Sequence, residues 1–242
     1  MDARVFTEHF DLEDTHWWFR SKRTLVLALL RRYGVLGGPG LDVGCGAGGT
    51  LAALAAQGAW FGVDADPAAL GLSRRRGLGR LAGSVAEALP FREGAFAACL
   101  CLDLLYHRNV VSEQGALREC HRVLRAGGLL LVTDSAFKWL RSAHDEAVHG
   151  ARRYTRRELV ERVRAAGFTP ILASYAYCLV FPAVAAVRLA RRGGAGGSDV
   201  FRLPRPLNAA LLGLQAIERA LLRVGPLPFG SSVVLVARKA AA

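Results

Sequence analysis

The stretch that decides the fold is Leu41-Asp42-Val43-Gly44-Cys45-Gly46-Ala47-Gly48-Gly49. Leu41 and Val43 flank Asp42 at strand spacing, glycines follow at 44, 46, 48 and 49, and a helical pattern opens at Gly49. Glycines between a strand and a helix let the backbone bend sharply and let a ligand approach without meeting a Cβ. The helix start adds free N–H groups and the positive end of the helix dipole. Gly44, Gly46 and Gly49 satisfy the GxGxxG spacing, which is a weak signal by itself. Downstream, Gly62-Val63-Asp64 ends the next apolar run on an acid, a placement from which a carboxylate accepts hydrogen bonds from ribose hydroxyls.

Outward from that turn, short apolar runs alternate with helical patterns. Strands are expected at 40–43, 59–63, 79–82, 97–102 and 129–133, and helices at 49–56, 67–75 and 112–125. Asp66-Pro67 is a helix start with an N-cap acid and proline at the first helical position. Gly127-Gly128 closes the helix before the fifth strand. A helix at 156–166, a sixth strand near 168–174 and a seventh at 231–238 complete the pattern. The expected class is α/β: a Rossmann-like, seven-stranded, mostly parallel sheet with helices on both faces. Residues 1–38 read as an N-terminal helical cap and 39–177 as the core. Residues 178–230 read as a helical insertion before the last strand and tail, 231–242.

In that insertion Leu207, Ala210, Leu214, Ile217, Leu221 and Val224 recur at three- and four-residue spacing, Leu211, Leu212 and Leu222 widen the apolar face, and Gln215, Glu218, Arg219 and Arg223 are expected mostly away from it. The uncharged run 171–187 is too short for a bilayer span and contains Pro182, so a transmembrane helix is not expected. The insertion suits a lid over an apolar acceptor, a dimer face, a patch on an anionic membrane surface, or plain packing.

The chain has 242 residues, 52% hydrophobic and 21% charged, which excludes a mainly disordered protein. The net charge of +12 comes almost wholly from arginine in scattered short clusters. No nucleic-acid-binding motif accompanies it, and no nucleic-acid partner is expected. Cys45, Cys99, Cys101, Cys120 and Cys178 are odd in number and lack a CxxC spacing, so they read as reduced thiols. The N-terminus opens into an acidic stretch with no secretory signal, which gives a cytoplasmic expectation.

Four blocks now resemble a known family: LDVGCGAGG at 41–49, GVDADP at 62–67, GSVAEALPF at 83–91 and ECHRVLRAGGLLLV at 119–132. In order and spacing they are similar to the class I S-adenosylmethionine-dependent methyltransferases, in the broad type 11/type 23 group. The resemblance implies S-adenosyl-L-methionine as cofactor. It places the methionine part against Asp42, Gly44, Cys45 and Gly46, the ribose against Asp64 and Ala65, and the adenine beside Ser84, Val85 and Ala86. Many relatives carry an Asp at that adenine edge, and this chain does not. Asp103 to His107 matches the segment that ends strand four beside the methyl group. A subgroup resemblance extends to HWWFRSKR at 16–23, to the segment from His144 through Tyr154 and to LPFGSSVVLVARK at 227–239. The alternatives are a non-catalytic protein that binds the same cofactor and a dinucleotide oxidoreductase, which shares GxGxxG and a distal acid.

Methyl transfer to a hydroxyl needs alignment and removal of a proton. His107 is the first candidate base, Tyr106 a candidate orienting group, and His149 the next base. His144, Arg153 and Tyr154 are expected to bind the acceptor, against the alternative that Arg153 pairs with an acid such as Asp145. His144, Asp145 and His149 are metal-ligand types, but this chemistry needs no metal and none is expected. Trp17, Trp18 and Phe19 read either as a lid, with Arg20 or Arg23 reaching the cofactor's carboxylate, or as packing on the sheet. The expected partner is a small-molecule, sugar or lipid-linked acceptor, methylated at oxygen before nitrogen or carbon, with peripheral membrane contact.

Overall fold

A computed structural model of the chain describes residues 3–190 and 202–241. In chain order the elements are α1 (Ala3–Leu12), α2 (Trp17–Arg32), β1 (Gly40–Val43), α3 (Gly49–Ala55), β2 (Trp60–Asp64), α4 (Pro67–Arg75), β3 (Leu81–Gly83) and β4 (Phe96–Leu102). There follow α5 (Glu113–Val123), β5 (Leu124–Ser135), a 3-10 turn (Lys138–Leu140), α6 (Ala143–Ala147), α7 (Arg156–Ala165), β6 (Phe168–Ala176), α8 (Phe181–Ala190), α9 (Arg205–Val224) and β7 (Ser232–Lys239).

The strands form one sheet in the order β3-β2-β1-β4-β5-β7-β6. Strands β1 to β5 pair in parallel, and β7 inserts antiparallel between β5 and β6. Strand order reverses at β1, whose two neighbours, β2 and β4, carry the chain off to opposite sides. The carboxyl ends of β1, β2, β4 and β5 therefore meet at the crevice where α/β sheets bind ligands. Side chains alternate across the sheet, so Leu41, Cys99, Cys101 and Val132 enter one core while Leu100 and Leu131 join Val26, Leu30 and Trp60 in the other. All five cysteines are unbonded and buried, with Cys101 and Cys120 sulfurs 3.5 Å apart.

Local chemistry places the helices. Asp66 caps α4 by accepting from the Ala68 amide at 2.9 Å. Thr155 and Glu158 form a capping box at the start of α7. The boundary near Gly127 differs from expectation: α5 ends at Val123 and β5 begins at once, taking Gly127 and Gly128 into the strand. Gly127 keeps its left-handed conformation (φ +71°), and the register between β4 and β5 shifts beside it, so the turn chemistry appears as an irregular strand entry.

Helix α9 also departs from its reading. Gln215 and Glu218 are buried against the body, while Leu207, Leu214, Ile217, Leu221 and Val224 are exposed. The cause is a polar socket. Tyr177 has φ +61°, and the Glu218 carboxylate accepts the amides of Tyr177 and Leu179 in the turn after β6. Satisfying two amides in that turn holds the acid inward and leaves much of the apolar stripe outside.

Candidate active site

The turn after β1 holds Gly44 (φ +75°), Gly46 (φ +57°) and Gly48 (φ +83°) in the left-handed region, which costs glycine nothing. A Cβ at Gly44 would lie 2.7 Å from the Leu104 side chain. Asp64, at the end of β2, ties this turn down: one carboxylate oxygen accepts the Gly46 amide and the other the Asp66 amide, both at 2.9 Å. Asp42 is 2% exposed, and its Oδ1 has no hydrogen-bond partner. Burial first, then the charges of Asp64 and Glu13, push its carboxyl up to about 7.

A cleft of about 1000 Å³ runs along this crevice. Asp42, Gly44, Cys45, Gly46, Asp64, Ala65, Ser84, Val85, Ala86 and Asp103 all line it, as do Tyr106 and His107. Among the described residues its lining carries seven carboxylates and two cations, Lys22 and Arg188; Glu13 and Asp145 are also paired with Arg76 and Arg153 behind the wall, and the remaining acids suit a cationic ligand. The unpartnered buried oxygen of Asp42, the open glycine turn and this excess of acid fit the cationic sulfonium cofactor.

Beyond β4, Asp103 adopts φ +49°, and its amide donates to the Thr133 carbonyl at 2.8 Å. Its carboxylate pairs with Lys22 of α2, whose ammonium lies 3.4 Å from the centre of the Trp18 ring. Asp134, fully buried at the end of β5, accepts the amides of Tyr106 (3.1 Å) and Ser135 (3.0 Å). It thereby fixes the segment carrying Tyr106 and His107. Burial, then the acids Asp103 and Asp134, hold the Tyr106 proton on.

Burial pulls the His107 imidazole down to about 4. Its Nδ1 accepts the Asn109 amide at 3.2 Å, so in the neutral ring the proton sits on Nε2. Carbonyls of this loop accept from Arg152, and the Tyr106 carbonyl also accepts the Ala151 amide at 2.8 Å. That stitching brings the His107 and His149 rings to 5.8 Å, although His149 lies outside the cleft lining with Nε2 3.1 Å from Arg108.

Two expected acceptor contacts are placed elsewhere. Arg153 is buried in a two-pronged pair with Asp145 at 2.8 and 3.0 Å and also donates to the Ala136 carbonyl. Tyr154 is buried and donates to the Leu105 carbonyl at 3.1 Å. Both line a separate pocket of about 300 Å³ and hold the loops together. The His144 side chain lies outside the described residues. Arg20 is exposed and Arg23 is tied to Asp14 and the Glu13 carbonyl, so neither enters the cleft; Lys22 does. Trp17, Trp18 and Phe19 do line it.

Sequence reasoning missed Lys22, Glu13 and Arg76. The i,i+4 spacing of Trp18 and Lys22 signalled that the two meet on one helix face. Arg76 gave no such signal: it reaches across the fold to the Ala47 carbonyl, to Glu13 and to Asp14, and latches the α1–α2 corner onto the glycine turn.

The profile of a methyltransferase domain family matches residues 41–132, from β1 into β5. Residues 41–132 belong to a class I S-adenosylmethionine-dependent methyltransferase domain. S-Adenosyl-L-methionine is the cofactor of that family, and the oxidoreductase alternative falls with the match. A ubiquinone biosynthesis O-methyltransferase of Pseudomonas paraeruginosa is 33% identical over 112 residues, 42% of this chain and 46% of the relative. The match thus spans about half the length of that relative. Among solved structures, a SAM-dependent methyltransferase of Thermotoga maritima superposes with TM-score 0.60 at 19% identity, covering 98% of this chain and 95% of that one. A geranyl diphosphate methyltransferase in complex with SAM gives TM-score 0.59 at 18% identity over 90% and 85%. At these identities the structures show that the methyltransferase domain has the Rossmann-like fold of such enzymes.

Proposed function

We propose that the chain transfers the methyl group of S-adenosylmethionine to a hydroxyl oxygen of an apolar or lipid-linked small molecule, in peripheral contact with a membrane. One observation carries this reading. The cleft that begins at the acid-lined glycine turn continues between α8 and α9, where Val180, Val184, Leu207 and Leu211 form apolar walls. An enzyme that brings a cationic cofactor to a greasy acceptor needs those two halves in one space. The relative's name adds support for oxygen as the acceptor atom.

S-Adenosylmethionine supplies an activated methyl carbon, so the protein's part is alignment and proton handling. In this reading Asp64 and Ala65 hold the ribose, the Gly44–Gly46 turn with Asp42 and Asp103 holds the methionine part, and Ser84 to Ala86 border the adenine. Tyr106, with its proton retained, donates a hydrogen bond to the acceptor oxygen. His107 borders the same space as a neutral imidazole. To take a proton it must release the Asn109 amide, and its lowered basicity suits a hydroxyl more acidic than an alcohol's. His149 supports that ring from outside, and His144 is retained as an acceptor contact. Among the described residues no helix is long and apolar enough to cross a membrane.

The test is an acceptor screen on the full chain that detects S-adenosylhomocysteine, spanning sugars, phenols and lipid-linked hydroxyl compounds. Turnover should concentrate on apolar acceptors with an acidic hydroxyl. Cofactor binding with no turnover on any class would replace the enzyme by a non-catalytic binder.

A further inference from the structure

Helix α8 is apolar on every side. Phe181 to Ala190 contains one polar residue, Arg188. A helix of that composition is ordinarily buried in a core or in lipid. Here Ala185 alone is buried among its described side chains; Leu189, away from the cleft, is 44% exposed, and Val187, at the cleft, is 46% exposed. Over its described residues it extends about 15 Å, half the thickness of a bilayer core, a length suited to lying along a bilayer surface and short of crossing one.

Its neighbours share the character. Phe181 packs on Trp139 (ring centres 5.9 Å apart) and on Phe229 (5.5 Å), and these two aromatic residues are 46% and 42% exposed. Trp139 sits in the 3-10 turn between Lys138 and Arg141, both exposed to solvent. Lys138 pairs with Glu158 at 2.7 Å. Exposed aromatics beside cations are the side chains found where a protein meets headgroups. Another side of α8 lines the cleft through Val184 and Val187.

We infer that α8, with Trp139 and Phe229 at its edge, is a docking face for an anionic phospholipid bilayer, oriented so that the cleft opens toward the lipid. This inference rests on the proposal that the acceptor is apolar. The net charge of +12 supplies the long-range attraction, and the apolar helix supplies the shallow insertion. An acceptor dissolved in the leaflet then reaches the site along α8 without crossing water.

Sedimentation of the full chain with phosphatidylglycerol vesicles and with phosphatidylcholine vesicles tests this. The protein should pellet with the former at low salt, less at high salt, and poorly with the latter. Leu189→Glu and Trp139→Ser, at residues outside the cleft lining, should each lower the partition several-fold. Brominated lipid should quench fluorescence in the unaltered chain and less in Trp139→Ser. Circular dichroism and calorimetric S-adenosylmethionine binding on the same samples separate the outcomes. Normal cofactor binding with no pelleting on phosphatidylglycerol, or pelleting that both variants retain in full, overturns the docking face and leaves the enzymatic reading standing. Pelleting without cofactor binding overturns the enzymatic reading instead. Concentration-dependent dimerisation that Leu189→Glu abolishes, with no vesicle binding, assigns the face to a second copy.

Discussion

Asp42 and Asp64 stand side by side in the sheet's crevice but are held differently. Asp64 spends both oxygens on backbone amides of the turns it joins, whereas Asp42 is buried with one oxygen unpartnered. Asp64→Ala should therefore weaken S-adenosylmethionine binding by about 1.5–3 kcal/mol, through lost charge-assisted hydrogen bonds and a loosened Gly46 turn. Calorimetry on the folded variant checks this, and unchanged affinity would remove Asp64 from the cofactor site. With Asp42 at the cofactor, as proposed, binding should depend on pH. Its folded pKa of about 7 lies above the unfolded value, so the folded chain holds an extra proton between about pH 4 and 7, and its contribution to stability falls as pH rises through that window. A cationic ligand favours the ionised form. Cofactor affinity should accordingly be about tenfold weaker at pH 6 than at pH 8, and Asp42→Asn should flatten that slope.

At the scale of elements, the stitching around β4 and β5 matters more than any single helix. Asp134 fixes the segment after β4, the Arg153–Asp145 pair fixes the loop before α7, and Arg152 ties the two together. The bland alternative for Arg153, pairing with Asp145, is the arrangement found. A lone arginine in a loop looks the same in sequence whether it faces a ligand or an acid eight residues away. Helix α9 gives the sharpest test. Glu218→Ala would strand the buried amide of Tyr177 and the half-buried amide of Leu179, at a cost of about 1–3 kcal/mol, even though it replaces a charged residue on an amphipathic helix with a good helix former. A lowered thermal midpoint should show it. A variant as stable as the parent would mean that α9 is held by its apolar contacts alone.

Across the whole molecule, the N-terminal helices and the glycine turn form one unit through Arg76. Its guanidinium joins the Ala47 carbonyl to the Phe10 carbonyl, Glu13 and Asp14, and its charge lies 4.4 Å from the centre of the Phe10 ring. Cutting that joint should free α1 from the glycine turn without unfolding the sheet. Arg76→Ala is expected to speed amide exchange in residues 3–14 on the order of tenfold and to accelerate cofactor release, with little change in the exchange of β4 and β5. Equal protection of α1 in variant and parent would show that aromatic packing, not Arg76, holds the cap.

The order of strands and helices, the glycine turn, the acid closing β2 and the α4 cap were legible because each rests on neighbours in the chain. Periodicity, capping and left-handed glycines act over a few residues, so a one-dimensional pattern contains them. Four motif blocks in the right order then implied the family and its cofactor. Only the tertiary structure decided that Lys22 rather than Arg20 or Arg23 faces the cleft, that Arg153 and Tyr154 turn inward, and that α9 buries Glu218 while α8 stays bare. Those outcomes depend on which distant backbone amide or carboxylate a polar side chain meets. In α9 the need to satisfy the turn at Tyr177 overrode the apolar periodicity that the sequence displays.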